Sequence, residues 1–113
     1  MLEELTERIV AFRDERDWKQ YHSPRNLAVS ISIEAAELLE LFQWSSDESV
    51  ESDVQARRTD LERELADILI YCLLLAHDTG VDPAQAIRAK LAENDAKYPA
   101  DRARGSRVKY TNL

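Results

Sequence analysis

Apolar residues recur every three or four positions along most of this chain, which is the period of an amphipathic helix. The first such segment, from Leu2 to Arg16, has an apolar stripe formed by Leu2, Leu5, Ile9 and Phe12. The pattern lapses around Trp18 to His22. Ser23-Pro24 then supplies a helix N-cap followed by proline at the first helical position. The pattern therefore predicts a second helix from Pro24 to about Trp44.

The second half of the chain predicts two more helices. One covers about Val54 to Thr79, with Gly80 as its terminator and an apolar seam at Leu61, Leu65, Ile68, Cys72 and Leu75. Thr59 and Glu62 also fit a capping box, so this helix could instead start several residues after Val54. The polar stretch from Ser45 to Asp53 has no periodicity and is expected to be a surface loop. Asp82-Pro83 repeats the cap-plus-proline signal and opens a helix to about Lys97.

These patterns predict an all-α fold, a four-helix bundle-like single domain over residues 1–113. Two glycines and three prolines leave little turn chemistry for a β-rich fold. From Ile68 to Ala76 almost every residue is apolar, so this helix must be covered on all sides. Four modest helices can scarcely do that alone, and we therefore expect a homo-oligomer, with dimer and tetramer both open.

Charge and hydropathy exclude several classes of protein. The formal net charge of -7 argues against a nucleic-acid polymer as partner, because such surfaces are normally basic. The run from Ile68 to Ala76 is too short to span a bilayer, and no signal peptide is visible, so no membrane partner is expected. A cytoplasmic protein is the default expectation.

Two carboxylate pairs stand inside the two most apolar helices: Glu34-Ala-Ala-Glu37 and Glu64-Leu-Ala-Asp67. Residues three apart share one face of a helix. If the two helices lie antiparallel, the four acids form an all-oxygen pocket of the kind that Mg²⁺ or Mn²⁺ prefers. Such a site can hold a nucleoside triphosphate and activate a water molecule. The alternative is that these acids are solvated surface charges, which is what most acids on helices are.

Aromatic and polar residues provide candidates for the rest of a nucleotide site. Trp18, Trp44 and Tyr71 can stack on a base, although core packing explains a tryptophan equally well. His22 follows one turn after Trp18 and is by itself more typical of a surface or capping residue. Lys90, Asn94 and Tyr98 share a face of the last helix and can meet phosphate or sugar oxygens, unless that face is simply solvated.

Taken together, these motifs resemble the MazG-like all-α nucleoside triphosphate pyrophosphohydrolases, and most closely their dCTP pyrophosphatase branch. The likeness includes the two acidic pairs, the stretch from Phe12 to Leu27, Leu41-Phe-Gln-Trp44, Asp67-Ile-Leu-Ile-Tyr71 and Lys90 through Pro99. It continues with Arg104-Gly-Ser106 and Lys109-Tyr-Thr111, and so covers nearly the whole chain.

The resemblance implies an enzyme that hydrolyses a nucleoside triphosphate, dCTP or a modified relative, to the monophosphate and pyrophosphate. Mg²⁺, or Mn²⁺, would bind to Glu34, Glu37, Glu64 and Asp67. Either Glu34 or Glu37 would be the general base, with the number of metal ions left open. The nucleotide pocket would include Trp18, His22, Trp44 and Tyr71, with Lys90, Asn94 and Tyr98 reaching the phosphates or sugar. Arg104 and Lys109 would close over a neighbouring subunit's site in a homodimer or homotetramer.

One departure concerns the choice of base. Relatives often carry a base-pocket histidine nine residues before the tryptophan, where this chain has Ile9. Base discrimination depends on hydrogen bonds that a wrong base leaves unpaired, so a strict preference for cytosine is not implied. The alternatives are a related all-α hydrolase acting on dUTP or phosphoribosyl-ATP, and a non-catalytic helical scaffold or regulator.

Overall fold

The structure is a computed structural model that describes residues 1–113, and it is helical throughout, without a β-strand. Four long helices are α1 (Leu2–Glu15), α2 (Pro24–Glu40), α4 (Arg58–Thr79) and α5 (Pro83–Lys97). Two short helices are α3 (Val50–Ala56) and α6 (Ala100–Ala103), and single 3₁₀ turns cover Lys19–Tyr21 and Tyr110–Asn112. The prediction of an all-α fold is confirmed.

Local capping residues determine where the predicted helices begin and end. The Ser23 hydroxyl accepts a hydrogen bond from the Asn26 amide at 3.1 Å, and Pro24 opens α2. Asp82 caps α5 in the same way, accepting from the Gln85 amide at 3.2 Å. At the end of α4, Gly80 has a left-handed φ of 74°, which glycine adopts without strain. These three boundaries match the prediction.

The segment between α2 and α4 differs from the prediction. Helix α2 ends at Glu40, four residues before the predicted Trp44, in a series of turns. Part of the expected loop is helix α3. The Asp53 carboxylate accepts hydrogen bonds from the hydroxyls of Ser45 (2.6 Å) and Ser49 (3.0 Å), which folds the polar stretch on itself. Helix α4 starts at Arg58, so neither Val54 nor the predicted capping box at Thr59 marks its beginning.

Residues 1–80 form one compact unit, in which α4 is the central helix. Helix α2 makes the most extensive contact with α4, and α1 and α3 also pack on it. Leu27 and Leu74 are the fully buried apolar residues. Leu74 lies outside the predicted α4 seam, in which Leu65 is exposed. On α1, Leu2, Leu5 and Phe12 of the predicted apolar stripe are exposed, and Ile9 is half-buried.

Residues 81–113 form a second compact unit, with α5 as its long helix. Lys97 on α5 forms an ion pair with Glu93 at 2.9 Å and lies 4.9 Å from the centre of the Tyr110 ring. The tail is therefore attached to α5, although it has no apolar periodicity. Whether the two units act as the single predicted domain stays a prediction. No helix in the chain is long and apolar enough to cross a lipid bilayer.

Candidate active site

Three of the four predicted metal ligands meet where α2 packs on α4. Glu34 and Glu37 are one turn apart on α2, and Glu64 lies in the second turn of α4. One carboxylate oxygen from each of the three lies within 4.8 Å of the other two. The contact between the two helices thus brings Glu64 together with Glu37 and Glu34, which precede it by 27 and 30 residues in the sequence.

Burial and mutual repulsion perturb these carboxyl groups. The Oε2 atoms of Glu34 and Glu64 are shielded from solvent and have no hydrogen-bond partner. Burial raises the pKa of Glu34 to about 7, and the adjacent Glu37 carboxyl and the charges of Asp67 and Glu64 act in the same direction. Burial, followed by contact with Glu37, also raises the pKa of Glu64. Shielded acceptors without donors are costly unless a cation compensates them.

The donor set fits a hard divalent cation. All the available atoms are carboxylate oxygens, and Mg²⁺ and Mn²⁺ prefer oxygen ligands. Asp67, the fourth predicted ligand, is exposed and does not belong to the close group of oxygens. Its negative charge nevertheless contributes to the raised pKa of both Glu34 and Glu64, so it lies within electrostatic reach of the cluster.

Two residues predicted for the nucleotide pocket, His22 and Tyr71, pack against each other. The His22 ring packs edge-on against Tyr71, with ring centres 6.2 Å apart and an interplanar angle of 80°. Tyr71 follows Asp67 by about one turn of α4. Burial lowers the pKa of His22, and the positive charge of Arg13 lowers it further. The negative charge of Asp78 opposes both effects. The His22 Nδ1 atom is buried without a hydrogen-bond partner, so this ring has a free polar edge.

The two tryptophans have different surroundings. Trp18 packs edge-on against Phe12, with ring centres 5.9 Å apart, and the Arg16 guanidinium lies 3.7 Å from the centre of the Phe12 ring. Trp44 is 87% exposed and follows the end of α2. The structure therefore does not bring Trp44 together with the His22–Tyr71 pair, and its role toward a nucleotide stays a prediction.

The remaining predicted residues lie in the second unit, on and just after α5. Lys90 forms an ion pair with Glu93 at 3.2 Å, and Asn94 is exposed. Tyr98 packs edge-on against Tyr110, with ring centres 5.9 Å apart. Lys90 is thus already paired with an acid of its own helix. Contacts of these residues with phosphate or sugar stay a prediction.

An ion pair near His22 was missed by the sequence analysis. Arg13 is 2% exposed and donates from both terminal nitrogens to Asp78, at 2.7 and 2.9 Å. A signal was present, because Arg13 follows Ile9 by four residues and Asp78 follows the buried Leu74 by four. Charged residues that continue an apolar stripe on two helices are candidates for a buried pair.

Fold and site together define an all-helical protein with a carboxylate cluster at the contact of two helices, whose oxygens fit a divalent cation. The model of the MazG-like family matches residues 29–113. The chain therefore belongs to the MazG-like family, as its motifs led us to expect.

Individual relatives are similar over almost the whole chain. dCTP pyrophosphatase 1 of Bos taurus is 45% identical over 116 residues, which cover 99% of this chain and 68% of the relative. The Homo sapiens protein of that name is 41% identical over 114 residues, with 99% and 67% covered. A crystal structure of a pyrophosphatase from Archaeoglobus fulgidus matches with a TM-score of 0.84 and 47% identity, covering 86% of this chain and 91% of that one.

Proposed function

We propose that this chain hydrolyses a deoxynucleoside triphosphate, dCTP or a modified relative, to the monophosphate and pyrophosphate in the presence of Mg²⁺. The observation that carries the proposal is the cluster of Glu34, Glu37 and Glu64, whose oxygens lie within 4.8 Å of one another. The relatives named dCTP pyrophosphatase 1 support the choice of substrate. The reaction would remove unwanted nucleotides from the pool used for DNA synthesis.

The cluster supplies the groups that hydrolysis at the α-phosphorus requires. Mg²⁺, when bound by Glu34, Glu37, Glu64 and Asp67, would neutralise phosphate charge and polarise the attacking water. Mn²⁺ fits the same oxygen ligands. A carboxylate oxygen of Glu34 or Glu37 accepts the proton of the water as its oxygen attacks the α-phosphorus. The bond from that phosphorus to the bridging oxygen breaks, and pyrophosphate leaves.

The base would lie against the aromatic residues of the first unit. His22 and Tyr71 already pack together one turn beyond Asp67, and Trp18 precedes His22 on the same loop. Trp44, whose side chain is exposed, would be covered by the base when the nucleotide binds. In this proposal Lys90, Asn94 and Tyr98 contact the phosphates or sugar, and Arg104 and Lys109 close a neighbouring site.

A homo-oligomer, dimer or tetramer, is part of the proposal. Helix α4 exposes Leu65, Leu69 and Ile70, and α2 exposes Val29 and Ile33. Apolar side chains exposed on both central helices are typical of a surface that a partner covers. A second copy of the chain would bury them.

A substrate panel tests the reaction and the alternatives. Canonical and modified triphosphates, dUTP and phosphoribosyl-ATP are incubated with Mg²⁺, and pyrophosphate and orthophosphate are measured separately. We expect pyrophosphate, with dCTP or a modified dCTP as the best substrate. Orthophosphate as first product would contradict attack at the α-phosphorus. No turnover of any triphosphate by the wild-type protein would favour the scaffold alternative.

Substitution of the acids assigns the site. Glu37→Ala and Asp67→Ala should each lower kcat by about 10²–10⁴-fold while the protein remains folded. Glu40→Ala is the matched control, because Glu40 lies on α2 one turn beyond Glu37 and is exposed. Equal losses in all three variants would show that general negative charge, not the cluster, supports activity.

A further inference from the structure

The most buried ion pair in the structure joins Arg13 and Asp78. The Arg13 side chain is 2% exposed and that of Asp78 8%, and two parallel hydrogen bonds join them. The pair connects the last turn of α1 to the last turn of α4. A two-pronged arginine–carboxylate contact fixes direction as well as distance, so it sets how α1 ends against α4.

The backbone of Arg13 also holds the turn that leads to Trp18. Its carbonyl oxygen accepts hydrogen bonds from the Arg16 and Trp18 amides, both at 3.2 Å. Within this turn Asp17 has a φ of 53°, in the left-handed region that non-glycine residues rarely adopt. Aspartate is enriched in this region among non-glycine residues, and here the hydrogen bonds from the Arg16 and Trp18 amides to the Arg13 carbonyl hold the turn. Displacement of Arg13 would therefore be transmitted directly to Trp18.

The loop Trp18–His22 is held at its other end as well. The Asn26 side-chain amide donates to the Tyr21 carbonyl at 3.1 Å, and the His22 ring packs on Tyr71. Tyr71 precedes Asp78 by about two turns of α4. The loop is thus held against one helix near both of its ends, and that helix also carries Glu64.

We propose that Arg13 and Asp78 are positioning residues for the nucleotide: their ion pair fixes the end of α1 on α4 and thereby sets the loop Trp18–His22 against which the base lies. This inference rests on the proposed function, since it takes the loop to be part of the nucleotide site. Neither residue contacts the acidic cluster in this assignment, so nucleotide binding should depend on the pair and metal binding should not.

Single substitutions separate these two effects. Arg13→Lys keeps the charge but cannot make the two-pronged contact, and Asp78→Asn removes the charge. We expect either variant to raise KM for dCTP by about 10- to 100-fold with a smaller change in kcat, and to leave the calorimetric affinity for Mn²⁺ unchanged. Arg58→Lys is the matched control, because Arg58 pairs with Glu62 at 3.4 Å on the exposed surface of α4. Its KM should equal that of the wild type.

A double variant separates positioning from stability. Arg13→Met with Asp78→Leu replaces the ion pair by apolar side chains, a change that often preserves stability. We expect this protein to unfold at a urea concentration near that of the wild type and still to show a raised KM. Faster amide hydrogen exchange in residues 14–22, without faster exchange across α2, should accompany it.

Two results would overturn the inference. One is a wild-type KM in any folded variant that lacks the pair. The other is a parallel loss of kcat, nucleotide affinity and Mn²⁺ affinity that disappears once the double variant restores stability. If the wild-type protein hydrolyses no triphosphate, the proposed function fails instead. The hydrogen-exchange comparison then still decides whether the pair holds the loop.

Discussion

At the scale of single residues, the acidic cluster costs stability as long as no cation neutralises its carboxylates. Three carboxylates converge, and two of their oxygens have neither solvent nor a donor. The raised pKa of Glu34, about 7, expresses the same cost, since burial and neighbouring negative charge disfavour its ionised form. A divalent cation would reverse the sign of the interaction at each of these oxygens.

Removing one of these carboxylates should therefore have opposite effects with and without metal. Without metal, Glu34→Gln should melt at a higher temperature than the wild type, because repulsion is relieved. Addition of Mn²⁺ should stabilise the wild type, by about 2.7 kcal/mol at a hundred times the dissociation constant, and should have little effect on the variant. Calorimetric melting measures both, with Glu40→Gln as control. A wild type that does not respond to metal would identify the acids as ordinary surface charge.

The Asp78 carboxyl has the opposite shift, which predicts how stability changes with pH. Hydrogen bonds from Arg13 lower the pKa of Asp78, although burial opposes them. The unfolded chain therefore takes up this proton first as the pH falls. The contribution of the pair is fully present above the ordinary value of about 3.9 and is lost as the pH drops through the lower folded value.

The matching experiment compares urea unfolding of wild type and Asp78→Asn between about pH 6 and pH 3. At the upper end the variant should be less stable by about 3–5 kcal/mol, because it leaves a buried guanidinium without its counter-ion. The difference should shrink at the acidic end. Parallel pH profiles for the two proteins would contradict the role given to this pair.

At the scale of helices, the sequence correctly predicted those helix boundaries that depend only on residues close together in the chain. Helices α2 and α5 begin where predicted, because Ser23 and Asp82 cap amides three residues further on and a proline follows each. The acids of α2 and α4 were also identifiable, since their spacing puts each pair on one face. Such boundaries need no knowledge of the rest of the fold.

Features that leave no apolar periodicity in the sequence could not be predicted in the same way. Helix α3 forms where the Asp53 carboxylate accepts hydrogen bonds from two serine hydroxyls, and this segment has no apolar periodicity that would predict a helix. The Arg13–Asp78 pair joins residues 65 positions apart. Its existence depends on the packing of α1 against α4, which helical periodicity does not specify. For the same reason Leu74 was not expected to be the buried leucine of α4.

Helix α2 offers a test of how much a local cap contributes. Ser23→Ala removes the hydroxyl that accepts from the Asn26 amide and should lower the free energy of unfolding by about 1 kcal/mol. Ser32→Ala is the matched control, because Ser32 lies inside the same helix and donates to the Ala28 carbonyl. It should be neutral or slightly stabilising, since alanine favours helix interiors. Equal losses in both variants would assign the effect to general packing.

At the scale of the whole molecule, the chain buries few apolar residues for its helical content. Leu27 and Leu74 are fully buried, while large apolar side chains on α1, α2, α4 and α5 are exposed. A small domain is only marginally stable when it buries little apolar surface. The sequence shows the same feature, because the segment from Ile68 to Ala76 is apolar on all sides of its helix, and Leu69 and Ile70 within it are exposed. Both favour an assembly in which a second copy completes the core.

That assembly predicts a stability that depends on protein concentration. Leu69 is 59% exposed at the middle of the apolar stretch of α4, so Leu69→Asp should place a charge in the interface and dissociate the oligomer. Light scattering should find a wild-type mass of at least twice 13.0 kDa and a smaller mass for the variant. Because folding and association are coupled, the melting temperature of the wild type should rise with protein concentration, and that of the variant should not.

Leu91→Asp is the comparison, since Leu91 is 62% exposed but lies on α5. A monomeric wild type would contradict the prediction, and dissociation by Leu91→Asp alone would move the interface from α4 to α5.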